Sequence, residues 1–250
     1  MRAKSLLYMV LIPVFSCTGF RSPETLQLFE PVAVIELFTS QGCSSCPPAD
    51  KLLAETIAEA AKQHQKIYAL SFHVDYWNRL GWTDPFSDKR YSARQNEYAA
   101  YLNPGHVYTP QMIVNGSTEF VGSDKSSLNH ALEQALHTNS SVTFNSLEAT
   151  QQPGNGWHIS YELVGDYSGC DVQFAFVSLK ETTPVNRGEN KGQVLTNEHV
   201  VRQFISAQAL TKGHIDFNPS PEPKENIAVI AFVQRQTDLK IIGAALATVH

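Results

Sequence analysis

The sequence predicts an α/β protein in two parts. Residues 31–138 form a domain built on a parallel sheet and carrying an aromatic-rich helical insert, and 140–250 form a small antiparallel β-sandwich-like domain. Three observations predict this. The stretches "PVAVIELFT" (31–39) and "KIYALSFHVD" (66–75) are apolar runs of the kind buried on both faces of a parallel sheet, and a helix-periodic segment separates them. "YTPQMIVNGSTEFVG" (108–122) reads as a hairpin with Asn115-Gly116 as its turn. Beyond residue 140 the chain becomes a series of strand-like runs punctuated by Pro, Gly and Asn, with Trp157, Ile159, Tyr161 and Leu163 in clean alternation.

In chain order, the first strand leads into "TSQGCSSCPPAD", residues 39–50. Ala49, Leu52, Leu53, Thr56, Ile57, Ala60 and Ala61 then recur at helical spacing, with Lys51, Glu55, Glu59 and Lys62 elsewhere on the wheel. Pro47 suits the first helical position, where its missing N–H is not needed. This helix is the crossover to the second parallel strand. The insert after it supplies Trp77, Trp82, Phe86, Tyr91, Tyr98 and Tyr101, with a helix over 88–102 and Ser87 as its N-cap. Its aromatics have two uses, a satellite core packing the insert onto the sheet and a binding surface beside the cysteines, and we expect a share of each. "DKSSLNHALEQALH" closes the first part as a helix with Leu128, Ala131, Leu132, Ala135 and Leu136 on one face.

The chain has 250 residues, 42% hydrophobic and 17% charged, with a net charge of -5, which fits globular domains with a sizeable core. No basic stripe is present, so nucleic acid is excluded as a partner. Arg2 and Lys4 precede "SLLYMVLIPVFSC", an apolar run too short to span a bilayer and interrupted by Pro13. Residues 1–17 therefore read as an export signal. Its end, Val14-Phe15-Ser16-Cys17, resembles the bacterial lipoprotein cleavage box, in which the cysteine is lipidated. The alternative is ordinary cleavage nearby, with Cys17 lost. On either reading the mature chain is exported to the periplasm, as an outer-membrane lipoprotein if Cys17 is lipidated, and a lipid there would be its one attachment to a membrane.

Cys43, Cys46 and Cys170 then remain, in a compartment where disulfides form and persist. A bridge across two intervening residues closes so small a loop that it constrains the unfolded chain little, so stability is a weak reason for the pair. Zinc would want a second ligand pair, and no second such pair exists. Thiol–disulfide exchange is the first reading of the pair. A cysteine at a helix N-terminus in such a motif has its pKa lowered from about 8.5 into a range of roughly 3.5 to 7.5. Cys43, nearer the exposed loop, is the attacking thiol, and Cys46 resolves the mixed disulfide. Protein thiols or disulfides are the implied partners.

Residues 31–138 also resemble a thioredoxin-like domain. The resemblance implies that Cys43 is the nucleophile and Cys46 the resolving cysteine, and that Thr109-Pro110 is a cis-proline dipeptide. More narrowly, "ELFTSQGCSSCPPAD", "HVDYWNRLGWTDPF", "TPQMIVNG" and "RGENKGQVL" together resemble the bacterial secreted family catalogued as domain of unknown function 1223. Within that frame the backbone of Thr109 would pair with a substrate strand, and Pro110 would shape the groove. Trp77 and Trp82 would line it. The Ser44-Ser45 pair between the cysteines leaves the direction of electron flow open.

Glu36 lies in the first strand among Val34, Ile35, Leu37 and Phe38. Two readings stand: a desolvated carboxylate with raised pKa that exchanges protons with Cys46, or one satisfied by a neighbour or by solvent. His73 and His106 could join Cys43 and Cys46 in a copper or zinc site, which makes Cu(I) delivery the second function. A third is a non-catalytic binding lipoprotein with a permanent disulfide. Cys170, at the start of a strand, reads as a small buried hydrophobe. "NRGENKGQ", with Arg187, Glu189 and Lys191, reads first as a solvated hairpin loop, the alternative being that it folds back toward the first part. No nucleotide-binding loop, nucleophile elbow or paired-carboxylate motif occurs, so no cofactor is implied.

Overall fold

In the computed structural model, residues 28–154, 156–218 and 226–250 are described. The export signal and Cys17 lie outside them. Strand β1 (Ala33–Thr39) is buried at every position. It leads through the cysteine loop into α1 (Pro47–Lys62), which starts on Pro47 and turns Ala49, Leu52, Leu53 and Ala60 inward. The chain returns as β2 (Ile67–His73), parallel to β1 from Ala33↔Ile67 to Thr39↔His73. After a 3-10 turn at Asn78–Leu80 comes α2 (Lys89–Leu102). Its cap is Asp88 and not Ser87: the Asp88 carboxylate accepts from Arg90 N at 2.8 Å, while the Ser87 hydroxyl donates to Asp84 O at 2.8 Å.

Strands β3 (Gln111–Val114) and β4 (Thr118–Val121) form the expected hairpin, and β3 runs antiparallel to β1. Asn115 and Gly116 both take positive φ, 47° and 62°, and a Cβ on Gly116 would stand 2.0 Å from Leu239 O. The position therefore needs glycine for conformation and for space. Helix α3 (Lys125–Leu136) is capped by the Asp124 carboxylate, which accepts from Ser126 N and Ser127 N.

The remaining strands are β5 (Val142–Gln152), β6 (Gly156–Gly165), β7 (Cys170–Pro184), β8 (Val194–Gln208), β9 (Lys212–Phe217), β10 (Ile227–Arg235), β11 (Ile241–Leu246) and β12 (Thr248–Val249). They overturn the expected layout of a thioredoxin-like domain with a helical insert followed by a small sandwich. The described residues are mostly strand, with twelve strands against three α-helices, and they make two mixed sheets. One is eight-stranded, in the order β11-β10-β7-β8-β2-β1-β3-β4, and the other is four-stranded, β12-β5-β6-β9. The join is the parallel contact of β8 with β2 at Ser71↔Val200. Physically, β2 would otherwise leave a row of unpaired backbone groups at a sheet edge, and β8 covers it.

Three apolar clusters result. α1 and α3 cover one face of β1 and β3 through Leu53, Leu128, Ile35, Leu37 and Met112. On the opposite face Phe38, Phe72, Tyr91, Tyr98, Val177 and Phe232 pack together. The small sheet covers β7 and β10, with Ile159 and Leu163 against Phe174, Phe176 and Val229. The helical segment is thus part of the main core, not an appendage with a satellite core of its own. Tyr91 meets Phe72 edge-on at 5.2 Å between ring centres, and Tyr98 meets Phe38 at 6.2 Å, geometries favoured by the aromatic quadrupole.

Candidate functional site

Cys43 and Cys46 form a disulfide at the entrance to α1, with their Cα atoms 5.4 Å apart. Local turns build the loop: Cys43 N donates to Ser40 O, Cys46 N to Cys43 O, and Ala49 N and Asp50 N to Cys46 O. Cys46 is the N-cap residue, yet its side chain makes no capping bond, its sulfur being committed to the bridge. Ser44 and Ser45 are exposed, but both cysteines are fully buried. That corrects the expectation that Cys43 lies toward the exposed side. The cause is packing from three directions.

The first is the segment before β3. Thr109 O stands 3.9 Å from Cys43 Sγ, and the Ser45 hydroxyl lies 3.3 Å from that sulfur and 3.5 Å from Thr109 O. The Thr109–Pro110 peptide bond is cis. Pro110 is buried, and its carbonyl accepts from Gly122 N at 2.8 Å. The second is Trp77, whose indole Nε1 donates to Thr109 Oγ1 at 2.7 Å and whose Cβ would stand 3.1 Å from a Cβ on Gly42.

The third is the β7–β8 loop. Asn190, 1% exposed, donates from Nδ2 to Gln41 O and Cys43 O, both at 2.9 Å. The Glu189 carboxylate accepts from Ser44 N at 3.0 Å and from Ser44 Oγ at 2.7 Å. These bonds hold Glu189 below the ordinary carboxylate pKa. Gln41 extends the web: its N–H donates to Asp84 Oδ2, its amide donates to Asn197 Oδ1, and Trp82 Nε1 donates to its Oε1. The "NRGENKGQ" loop is therefore not simply solvated. Sequence reasoning missed Asn190 altogether, because a polar residue among glycines reads as surface. Its side chain serves two backbone carbonyls that no local pattern announces.

Beneath the bridge sits a buried polar cluster. His73 Nδ1 and Asp84 Oδ2 are 2.8 Å apart with neither side chain exposed. Burial works against the charged imidazole, but the Asp84 charge and hydrogen bond, with Asp50 adding, raise its pKa overall. Burial likewise works against the Asp84 anion, but His73 and the backbone N–H groups of Gln41 and Phe86 bring its pKa down. Asp50 lies one helical turn past Cys46, and burial pushes its pKa up to about 6 against the pull of His73. Thr39 Oγ1, Asp50 Oδ1 and His73 Nε2 are buried without partners.

A model of the family described as "Protein of unknown function (DUF1223)" matches residues 34–234. The chain belongs to that family. Among solved structures, protein AGR_C_4864 from Agrobacterium tumefaciens is 28% identical, with a TM-score of 0.65 over 87% of this chain and 95% of that one. HBP35 of Porphyromonas gingivalis is 16% identical, also with a TM-score of 0.65, over 88% of this chain and 76% of that one, a likeness of fold alone. No curated protein matches.

The other predicted positions in this DUF1223 chain fall away from the sulfurs or are otherwise engaged. Glu36 is fully buried but not lone. Arg94 donates to it from Nε at 2.6 Å and from a terminal nitrogen at 3.0 Å, and Tyr98 donates its hydroxyl. Gln234 joins the group through Tyr98 and Arg94. Of the two readings for this carboxylate, these contacts fit the satisfied one. Arg94 shares a helix face with Tyr91, Gln95 and Tyr98, and a cation within a buried stripe is the signal that could have found the pair. His106 is exposed in the loop after α2, and His73 is engaged by Asp84. Among the described residues no three of His, Cys, Asp and Glu stand together as a metal site, so the structure does not assemble Cys43, Cys46, His73 and His106 as a ligand set. Cys170 starts β7, buried and unbridged.

Proposed function

We propose that this protein is an exported thiol–disulfide oxidoreductase whose reacting group is the Cys43–Cys46 pair. The observation that carries the reading is a disulfide closing a very small loop at the N-terminus of helix α1, beside the Thr109 carbonyl. So short a bridge contributes little by restraining the unfolded chain, while the helix end favours a thiolate once the bridge opens. In the oxidising direction a substrate thiolate attacks Cys43 Sγ, the Cys43–Cys46 bond breaks, and Cys46 leaves as a thiolate. A second substrate thiolate then attacks the substrate sulfur of the mixed disulfide and releases Cys43, so two electrons pass to the couple. The same steps reversed reduce a substrate disulfide. Thr109 and Pro110 flank the approach, and Trp77 and Trp82 support it from behind through Thr109 and Gln41. The partners are protein thiols or disulfides. The setting is the periplasm, supported by the apolar leader ending at Cys17, which would anchor the chain to the outer membrane if lipidated.

A second reading, a binding lipoprotein with a permanent bridge, is favoured by the complete burial of both sulfurs. One experiment separates the two. The folded protein is incubated with dithiothreitol or with a reduced model protein, and thiols are counted by mass after acid quenching. The oxidoreductase exchanges without unfolding, Cys43→Ser abolishes exchange, and Cys46→Ser, offered a disulfide-bonded model protein in place of the reductant, accumulates mixed disulfides through Cys43 while the partner's other sulfur leaves as a thiolate. A bridge that opens only with global unfolding would establish the second reading.

A further inference from the structure

Glu189 is an exposed residue of a distant hairpin, yet its carboxylate takes both hydrogen-bond donors of Ser44, the residue next to Cys43. Asn190 fixes the arrangement by holding Gln41 O and Cys43 O from a buried position. An anion is thus clamped at the mouth of the dithiol, on the side where α1 would otherwise favour negative charge. We propose that Glu189 sets the redox poise of the couple, biasing it toward the disulfide by making the Cys43 thiolate costly. This rests on the oxidoreductase reading above.

The sign follows from electrostatics. When the bridge opens, Cys43 becomes a thiol whose anion lies one residue from a fixed carboxylate, and like charges disfavour the ionised form. Glu189 also removes the Ser44 N–H and hydroxyl as donors to a thiolate, leaving Ser45, 3.3 Å from Cys43 Sγ, as the nearest hydroxyl. Other charged or titratable groups lie on the elements around this loop. Asp50 comes from α1, and His73 and Asp84 lie below as a mutually compensating pair, with Arg202 acting on His73 from β8. Arg187 and Lys191 lie in the same loop as Glu189, and His106 lies in the loop before β3. Of these, Glu189 alone bonds the residue between the attacking sulfur and the helix.

The test is equilibration of the folded protein with reduced and oxidised glutathione. The disulfide and two glutathione thiols give the dithiol and one glutathione disulfide, with one S–S bond broken, one formed and two electrons transferred. The pKa of Cys43 is read in parallel from the pH dependence of its alkylation rate. Unit charges about 6 Å apart in water change an ionisation constant by a factor of about three. Glu189→Gln, which keeps an acceptor but removes the charge, should therefore lower the Cys43 pKa and raise the reduction equilibrium constant by about threefold, a rise of about 14 mV for a two-electron couple. Glu189→Asp, which keeps the charge, should lie nearer the parent, and Lys191→Ala should not move the couple in that direction. A parent that exchanges with glutathione alongside a Glu189→Gln variant of unchanged pKa and potential overturns this proposal alone. A parent that never exchanges overturns the oxidoreductase reading, and this proposal with it.

Discussion

Asn190 and Cys43, 147 residues apart in sequence, are joined by a buried 2.9 Å hydrogen bond from the Asn190 amide to the Cys43 carbonyl. The same amide reaches Gln41 O, so one side chain fixes the backbone on both sides of Gly42. Replacing it with alanine leaves two carbonyls without their donor, at a cost of about 1–3 kcal/mol for buried groups. We expect Asn190→Ala to lower the denaturation midpoint and to speed reduction of the bridge by dithiothreitol, both measured on folded protein. An unchanged reduction rate would show that the loop does not govern access.

The Glu36–Arg94 pair is nearly dry and sits among aromatic rings, with the guanidinium 4.6 Å from the Phe204 ring centre and 5.0 Å from that of Tyr98. Breaking a buried pair by removing one partner typically costs about 3–5 kcal/mol, whereas replacing both with apolar groups is far milder. Arg94→Met should destabilise by that order in urea unfolding, and adding Glu36→Leu should recover part of the loss. Since both residues are engaged with each other, thiol exchange in variants that still fold should be near the parent rate. A rate collapse in the folded double variant would restore Glu36 as a proton-transfer group.

The cluster below the bridge predicts an acid-leaning stability profile. The raised pKa of His73 contributes stability that is complete below its ordinary value of 6.5 and is lost as pH rises through the folded value. Asp50, raised from 3.8 to about 6, acts in the same direction, and its contribution is lost between those values as pH rises. Asp84, lowered, opposes them only in acid, losing its contribution as pH falls through the folded value. Asp50→Asn should therefore stabilise the protein at pH 7, by up to about 3 kcal/mol, and flatten the profile between about pH 4 and 6. Thermal unfolding at those three pH values checks it, and a destabilised variant at pH 7 would contradict it.

Cys170 is 3% exposed, and burial pushes its thiol pKa up. It should resist alkylation in the folded protein and react fully once unfolded, with peptide mapping as the readout. Cys170→Ala should leave exchange at the Cys43–Cys46 bridge unaltered. Loss of exchange in that variant would make it a third redox thiol.

Much of the first half was legible because its signals are local. A continuous apolar run in β1, a helix-periodic stripe after Pro47 and the Asn115-Gly116 turn each declare themselves within about fifteen residues. The later strand runs were also recognisable as strands. Their partners were not, since alternation in β8 says which side chains point inward and nothing about whether the free edge of β2 accepts it. The site divided along the same line. Cys43, Cys46, Thr109 and Pro110 come from short motifs. Arg94 under Glu36, Asp84 on His73 and Asn190 on Gln41 and Cys43 are polar contacts across 58, 11 and up to 149 residues. A polar side chain in sequence looks the same whether water or a distant backbone satisfies it.

The joining of β8 to β2 also orders events in time. As the chain is synthesised from its N-terminus, residues 33–73 are available well before 185–200, and pairings of such sequence separation form late because loop closure must come first. Until the β7–β8 hairpin docks, no Asn190 amide covers Cys43, and the cysteine loop lies open to any oxidant it meets. After docking the same sulfurs are enclosed. The β7–β8 loop thus sets how freely the sulfurs are reached in the finished molecule, so the last third of the polypeptide governs access to chemistry carried by the first.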